Sequence, residues 1–128
     1  MHGLIQAHEF VECLVGRDGE FDQIVSSAVK RLQADWGDSR CALILVLPYM
    51  RAEYSNNMDY FEEYYDSIEV CEESATAHPK GAIQIRNRNM VDRSDLVVCY
   101  IDHESGGAYK TIQYAKKQKK TILNVAED

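Results

Sequence analysis

Five short stretches of the chain are rich in apolar residues and have the length of β-strands. The stretch at 41–47 reads CALILVL, and an apolar run without a charged residue is typical of a parallel strand buried on both faces. The run at 95–101, DLVVCYI, predicts another buried strand of this kind. The other strands are predicted at 11–16, at 67–70 and at 121–125.

Between these runs, apolar residues recur with the period of a helix. The most regular case is 20–36, where they fall on one helix face. A second helix is predicted at 79–93, because proline suits the first helical position. Further helices are predicted after the glycines at 106–107, at 57–65 and, as the tail of a helix, at 1–9. Strands that alternate with helices predict an α/β fold, a three-layer sandwich with a mainly parallel sheet.

Composition narrows the class of protein. The chain has 128 residues, 45% of them hydrophobic, which suits a single domain over residues 1–128. The formal net charge of -7 argues against duplex nucleic acid as a partner, because phosphate neutralisation needs a basic surface. No apolar stretch approaches the ~20 residues of a membrane span, and the first residues do not resemble a signal peptide. We therefore expect a cytoplasmic protein without a membrane partner.

The cysteines and histidines are spaced without a metal or disulfide pattern. The four cysteines at positions 13, 41, 71 and 99 form no Cys-x-x-Cys motif, and three of them lie in or beside apolar runs. This pattern is typical of small buried residues in a reducing compartment. The four histidines lack zinc-ligand spacing, so we expect no metal.

Two candidate site segments follow the first two predicted strands, at the edge where parallel sheets bind ligands. The segment Gly16-Arg17-Asp18-Gly19-Glu20-Phe21-Asp22 contains glycines that let backbone N–H groups approach a phosphate. The alternative is a plain turn between a strand and a helix. In the second segment, Pro48-Tyr49, the tyrosine could stack on a base or could simply pack beside the strand.

Two further segments belong to the second half of the chain. Arg86-Asn87-Arg88-Asn89 carries two guanidinium groups and two amides, which could clamp a phosphate or ribose or could form a solvated helix face. Ser105-Gly106-Gly107 opens the helix that links the strands at 95–101 and 121–125, and Thr111 follows one turn later. A helix start just past a strand is a common place for a phosphate. The segment lacks the P-loop lysine and the full Gly-x-Gly-x-x-Gly motif.

In this order, the segments GRDGEFD, LVLPY, RNRNMVD, SDLVVCY and SGGAYKTIQYAKK resemble the SLOG family. This is the bacterial and phage branch of the superfamily that includes the Lonely guy cytokinin-activating proteins and the DprA-like proteins. The resemblance covers the chain from Val11 to Val125 and implies a Rossmann-like fold that binds a nucleotide or nucleotide-derived ligand, without a cofactor. The implied contacts are Gly16, Arg17, Gly19, Phe21, Asp22, Arg86, Asn87, Met90, Gly106, Gly107 and Thr111.

The chain departs from that family in two places. Lonely guy enzymes carry Pro-Gly-Gly-x-Gly-Thr-x-x-Glu, whose glutamate serves the hydrolysis of a ribosyl bond. Here Tyr114 stands where the acid is expected, Gln113 is beside it, and that helix has no carboxylate. Relatives also begin with a strand that ends in Gly-His-Arg, whereas this sequence begins inside the helix after it.

Three functions follow as hypotheses. The leading one is a binding module for a nucleotide-derived ligand, such as a sensor in stress or phage-defence pathways. The alternative is an enzyme, a phosphoribohydrolase or nucleoside-processing hydrolase that cleaves an N-glycosidic bond. The third is a protein-interaction module whose ancestral site has decayed. The missing glutamate favours binding over catalysis.

Two structural expectations accompany these hypotheses. We expect Arg17, Arg86, Gly106 and Gly107 to line one pocket, with the tyrosine-rich segment 49–65 packed over or beside it. Without the relatives' central strand, the sheet would have two inner edges, and each buried unpaired backbone group costs about 1–3 kcal/mol. The strands at 11–16 and 95–101 would pair directly, or another subunit would cover the edges. We favour self-association, and hence a homo-oligomer.

Overall fold

The computed structural model describes residues 10–17, 19–36 and 40–127. The predicted helix tail at 1–9 and Asp18 of the predicted turn lie outside these ranges. The chain divides into two units, Met1–Val70 and Cys71–Asp128, and each is described in turn.

The first unit is built on three parallel strands. In chain order its elements are β1 (Val11–Val15), α1 (Glu20–Trp36), β2 (Cys41–Leu47), α2 (Ala52–Ser55), α3 (Met58–Tyr64) and β3 (Ser67–Val70). The strand order is β1-β2-β3, with Cys13 opposite Leu43 and Ser67 opposite Ile44. The predicted strand at 67–70 is therefore confirmed, and it extends the sheet beyond β2.

The core of the first unit surrounds β2. Alternate residues of a strand point to opposite faces, and both faces of β2 are buried, with Leu43 and Leu45 at 0% exposure and Val46 also at 0%. Helix α1 contributes Val29, and the same core is closed by Tyr54 of α2, Phe61 of α3 and Tyr65 after α3. The prediction that CALILVL is buried on both faces is confirmed.

A buried polar contact joins α1 to the strands. The Asp66 carboxylate accepts hydrogen bonds from the Leu43 backbone at 2.7 Å and from the Gln33 side-chain amide at 2.6 Å. The Gln33 amide also donates to the Cys41 carbonyl at 3.1 Å. These bonds extend the pairing of β2 just before β3 begins, and they satisfy a buried amide that would otherwise be costly.

The second unit contains a strand–helix–strand arrangement. Its elements are α4 (Glu72–Ala75), α5 (Pro79–Arg93), β4 (Leu96–Cys99), α6 (Gly107–Lys117), β5 (Thr121–Asn124) and a 3-10 turn at Val125–Glu127. Strands β4 and β5 pair in parallel, with Leu96 opposite Thr121 and Cys99 opposite Asn124. Helix α6 connects them, as the sequence predicts.

Most predicted elements are confirmed, and the α/β class with parallel strands is correct. The bounds of α1, β2, β3 and α5 agree with the sequence prediction, whereas β4 is shorter. The expectation that β4 is fully buried is wrong, because Leu96, Val97 and Val98 are only half-buried. Among the described residues, the strands form two separately hydrogen-bonded sheets instead of one.

The four cysteines all lie in the described ranges, and none of them forms a disulfide. Cys41, Cys71 and Cys99 are buried, as expected for small core residues. Partial burial, together with the neighbouring Cys41, raises the pKa of the Cys13 thiol to about 11. No helix in the described part of the chain is long and apolar enough to cross a membrane.

Candidate functional site

The predicted site residues divide between the two units. The first unit contains the candidate segment at 16–22, called the first glycine loop below, together with Pro48 and Tyr49. The second unit contains the candidate residues of α5 and α6. A single pocket that joins Arg17 to Arg86, Gly106 and Gly107 stays a prediction.

The first glycine loop is capped by a carboxylate of its own helix. Asp22, the third residue of α1, accepts from the Gly16 N–H and from the Gly19 N–H, both at 3.4 Å. An acidic side chain at this position commonly caps a helix and complements its dipole. The carboxylate therefore occupies donors that the sequence analysis assigned to a phosphate. The half-buried Phe21 lies in the same first turn.

Arg17 connects this loop to the aromatic segment. Its Nε donates to Glu53 at 2.5 Å and its Nη1 donates to the Tyr65 hydroxyl at 2.9 Å. The guanidinium carbon lies 4.6 Å from the centre of the Phe61 ring, within cation–π range. Partial burial acts to lower the pKa of Arg17, but the bonds to Glu53 and Tyr65 hold it above its ordinary value. The tyrosine-rich segment thus packs beside Arg17, and a ligand-binding role for Arg17 stays a prediction.

The Pro48-Tyr49 segment is less accessible than its sequence suggests. Pro48 is fully buried at the end of β2, and Tyr49 is half-buried. The Arg51 guanidinium lies 5.4 Å from the centre of the Tyr49 ring. Tyr49 therefore already has a stacking partner within its own unit.

In the second unit, the structure brings α5 and the start of α6 together. The Asn87 amide donates to the Thr111 hydroxyl at 3.2 Å, and this hydroxyl donates to the Gly107 carbonyl at 3.0 Å. The Gln84 amide donates to the same carbonyl at 3.2 Å. Three residues of the predicted site, Asn87, Gly107 and Thr111, are thereby connected, and Gln84 is a further member that the sequence did not indicate.

The side chain of Arg86 is buried in the second unit. It is 2% exposed, and its Nε donates to the Asn87 side-chain oxygen at 2.9 Å. The alternative of a solvated helix face is therefore wrong for Arg86, although Arg88 on the same helix is exposed. Because the Nε bond orients Asn87, Arg86 supports the bond between Asn87 and Thr111. Met90 is half-buried on α5.

The second glycine loop, at 105–107, contains a backbone conformation that favours glycine. Gly106 has a φ of +93°, which residues with a side chain rarely adopt. A Cβ atom added to Gly107 would lie 3.1 Å from the Gln84 Nε2 atom. The N-cap residue of α6 is Gly106, which has no side chain to cap the helix. The first N–H groups of an α-helix have no partner within the helix, so this end presents donors and a positive dipole.

A cleft of about 500 Å³ lies at the carboxyl ends of β4 and β5, along the face of α6 that carries Tyr109, Ile112 and Lys116. Three isoleucines and seven polar residues line it. They are Ile101, Asp102, His103, Glu104, Tyr109, Ile112, Gln113, Lys116, Ile122 and Asn124. The sequence analysis missed the cleft, although Tyr109, Ile112 and Lys116 recur at the spacing of one helix face.

Two polar pairs shape this region. In the cleft, His103 Nδ1 lies 2.7 Å from the Asp102 carboxylate, and this hydrogen bond lowers the pKa of Asp102 below its ordinary value. Outside the cleft, the Tyr114 hydroxyl donates to Asp92 at 2.6 Å, which raises the pKa of Tyr114. Tyr114 therefore connects α6 to α5.

Asn124 fixes the edge of the cleft. Its side-chain oxygen accepts from the Ile101 N–H at 3.0 Å, and its amide donates to the Ile101 carbonyl at 2.9 Å. These two bonds hold Ile101, two residues past the end of β4, against the end of β5. Within the described ranges, no group of three His, Cys, Asp or Glu side chains could hold a metal ion.

Comparisons of the chain with protein-family models, with curated proteins and with solved structures find no match.

Proposed function

We propose that the second unit binds a nucleotide or nucleotide-derived ligand in the cleft beside α6. The observation that carries this proposal is the position of the cleft. It lies at the carboxyl ends of two parallel strands, next to a helix that opens with Gly106 as its N-cap and Gly107 as its first residue. Ligands of open α/β sheets bind at this edge.

The chemistry of the cleft suits the parts of a nucleotide. A phosphate at the start of α6 would accept from backbone N–H groups and meet the positive end of the helix dipole. Ile101, Ile112 and Ile122 offer an apolar surface, and Tyr109 offers a ring for a base. A volume of about 500 Å³ falls in the usual range for small-molecule sites.

Binding without catalysis is the proposed activity, as in a sensor of stress or phage-defence pathways. The Lonely guy glutamate is replaced by Tyr114, whose hydroxyl is bonded to Asp92. One observation favours the hydrolase alternative. The Asp102–His103 pair at 2.7 Å resembles the carboxylate–imidazole pairs that act as general bases.

Mass spectrometry of small molecules released by denaturing the purified protein tests the proposal. A bound intact nucleotide supports the binding module, whereas a free base with a ribose phosphate supports the hydrolase. The absence of any ligand, together with no affinity for a nucleotide panel in calorimetry, would support the interaction module.

A matched pair of variants tests whether the phosphate of the ligand binds at the start of α6. Ala108 is exposed in the first turn of α6, so Ala108→Asp adds a carboxylate that competes with a phosphate while it favours the helix dipole. We expect this variant to fold and to lose nucleotide binding. Ala108→Asn has nearly the same shape without the charge and should retain most of the affinity. Equal affinity of both variants would exclude a phosphate at this helix start.

We further propose that the chain self-associates in a reducing cytoplasm. The support is that β1 lies at one end of its sheet, and β4 and β5 form a sheet of only two strands, among the described residues. Strand edges of this kind are common places for pairing between chains. Light scattering at micromolar concentration should show at least a dimer, and a monodisperse monomer would contradict self-association.

A further inference from the structure

One exposed face of helix α3 combines an aromatic ring with two carboxylates. Tyr60 is 57% exposed, and Asp59 and Glu63 are exposed on the same helix. Glu63 follows Asp59 by four residues and Tyr60 by three, so the three side chains occupy neighbouring positions on the helix surface. Within the described ranges, neither carboxylate takes part in a hydrogen bond or an ion pair. The residues Asp59, Tyr60 and Glu63 are called the α3 face below.

The rings at this face already accept a cation of the same chain. The rings of Tyr60 and Tyr64 are stacked, with 6.2 Å between their centres and 15° between their planes. The Lys30 ammonium lies 5.3 Å from the centre of the Tyr64 ring, within cation–π range. Among the described residues, no lysine or arginine lies over the Tyr60 ring. The α3 face therefore presents a ring and two carboxylates to an ammonium group from outside.

The chain carries a segment of complementary charge. Residues 52–70 contain six acidic residues and no lysine or arginine, whereas residues 105–126 contain five lysines and no acidic residue. Lys117, at the end of α6, and Lys119, in the turn after it, are both exposed. Surfaces of opposite charge steer two molecules together and fix the register of their contact. The lysines at the end of α6 are therefore a matching partner for the α3 face of another copy.

We infer that the α3 face is a docking surface for a second copy of this chain, which inserts Lys117 and Lys119 between its carboxylates and over the Tyr60 ring. The inference rests on the proposed self-association, and it does not depend on nucleotide binding. It adds a side-chain contact that is separate from the strand edges. Because the contact joins two different surfaces, the assembly is head-to-tail.

The salt dependence of self-association is the first test. Sedimentation velocity of the full chain from about 0.05 to about 1 M NaCl should show the dissociation constant rising at least tenfold, because the Debye length falls to about 3 Å at the upper end. Pairing of strand edges depends on backbone hydrogen bonds, so association through those edges alone would not weaken in this way.

Charge reversal on each surface is the second test. Asp59→Lys with Glu63→Lys should abolish association, and so should Lys117→Glu with Lys119→Glu, because each double variant places like charges opposite each other. An equal mixture of the two double variants should associate again, since each supplies the charge that the other lacks. This recovery would also show that both variants are folded.

A matched control separates the α3 face from the net charge of the chain. Glu72→Lys with Glu73→Lys makes the same change of charge on two exposed residues outside α3, and it should leave association unchanged. Tyr60→Leu keeps an apolar side chain but removes the aromatic ring. It should weaken association by about two- to fivefold, which is the effect of one exposed cation–π contact.

The outcomes distinguish this inference from the proposed self-association. If the chain associates but neither salt nor the charge-reversed variants change the dissociation constant, the α3 contact is wrong while self-association stands. If both double variants are monomers and their mixture stays monomeric, α6 is not the partner of α3 and the inference is wrong. If the unmodified chain is a monomer at low salt, both proposals are wrong.

Discussion

The amide of Asn87 donates to the hydroxyl of Thr111 across 3.2 Å, and this bond connects α5 to the first turn of α6. The Thr111 hydroxyl in turn donates to the Gly107 carbonyl at 3.0 Å, and this carbonyl also accepts a hydrogen bond from the Gln84 amide. The glycine loop beside the cleft is thus held from the α5 side by side chains. Asn87 and Thr111 therefore hold the start of α6, where we propose that a ligand binds.

The coupling between these two residues is measurable. Asn87→Ala and Thr111→Val should each lower the free energy of unfolding, and the pair should show an interaction energy of about 0.5–1 kcal/mol in a double-mutant cycle. Urea unfolding of the four proteins gives this value. Strictly additive effects would mean that the bond does not contribute to stability.

The left-handed backbone at Gly106 leads to a second prediction. Gly106→Ala should destabilise the protein by about 1–2 kcal/mol, because alanine at φ +93° is strained. Gly81→Ala is the control. A Cβ there has no neighbour within 4 Å, and alanine in helix α5 should stabilise by about 0.4–1 kcal/mol. Chemical denaturation of both variants should give opposite signs, and a neutral Gly106→Ala would contradict the backbone geometry.

Arg17 supports the aromatic core of the first unit. Arg17→Ala should cost about 1–3 kcal/mol of stability, because the buried Tyr65 hydroxyl loses its donor and Phe61 loses a cation–π contact. Arg31→Ala, on the exposed surface of α1, should change stability by less than about 0.5 kcal/mol. If Arg17→Ala weakened nucleotide binding and left thermal stability unchanged, Arg17 would instead be a ligand contact.

Because the pKa of the Cys13 thiol is raised, we expect the folded chain to lose stability at alkaline pH. Its pKa is raised from an ordinary value of 9.0 to about 11 in the folded chain, so the unfolded state loses its proton first. The stabilisation is complete below pH 9 and is lost as the pH rises towards 11. The loss should amount to about 3 kcal/mol, because one pKa unit corresponds to about 1.4 kcal/mol. Cys13→Ala should flatten this part of the profile, and identical profiles would show that the thiol is not protected.

Secondary structure is predicted most accurately where a segment has a long helical period or an unbroken apolar run, because few other structures fit such a pattern. Strand β2 and helix α1 have the bounds that their patterns indicate. Helices α2 and α4 are only four residues each, which is too short for helical periodicity to be recognised.

The candidate site is harder to predict because one residue type serves several roles. The sequence predicts Asp22 as a ligand contact, but the N–H groups that would bind a phosphate donate instead to its capping carboxylate. Arg86 is buried although arginine is usually exposed, and its hydrogen bond to Asn87 becomes visible only in the folded chain. Asp102 and Glu104 lie in a loop without periodicity, so the fold alone brings them into the cleft.

The most direct test of nucleotide binding by the second unit is a ¹⁵N–¹H NMR titration of the full chain with ribonucleoside 5′-monophosphates. We expect amide shifts to concentrate at 102–109, which comprises the cleft loop and the first turn of α6, with little change in the first unit's glycine loop at 16–21. Saturating shifts at 102–109 would establish the cleft as the binding site. Shifts confined to 16–21, or none at millimolar nucleotide, would contradict it.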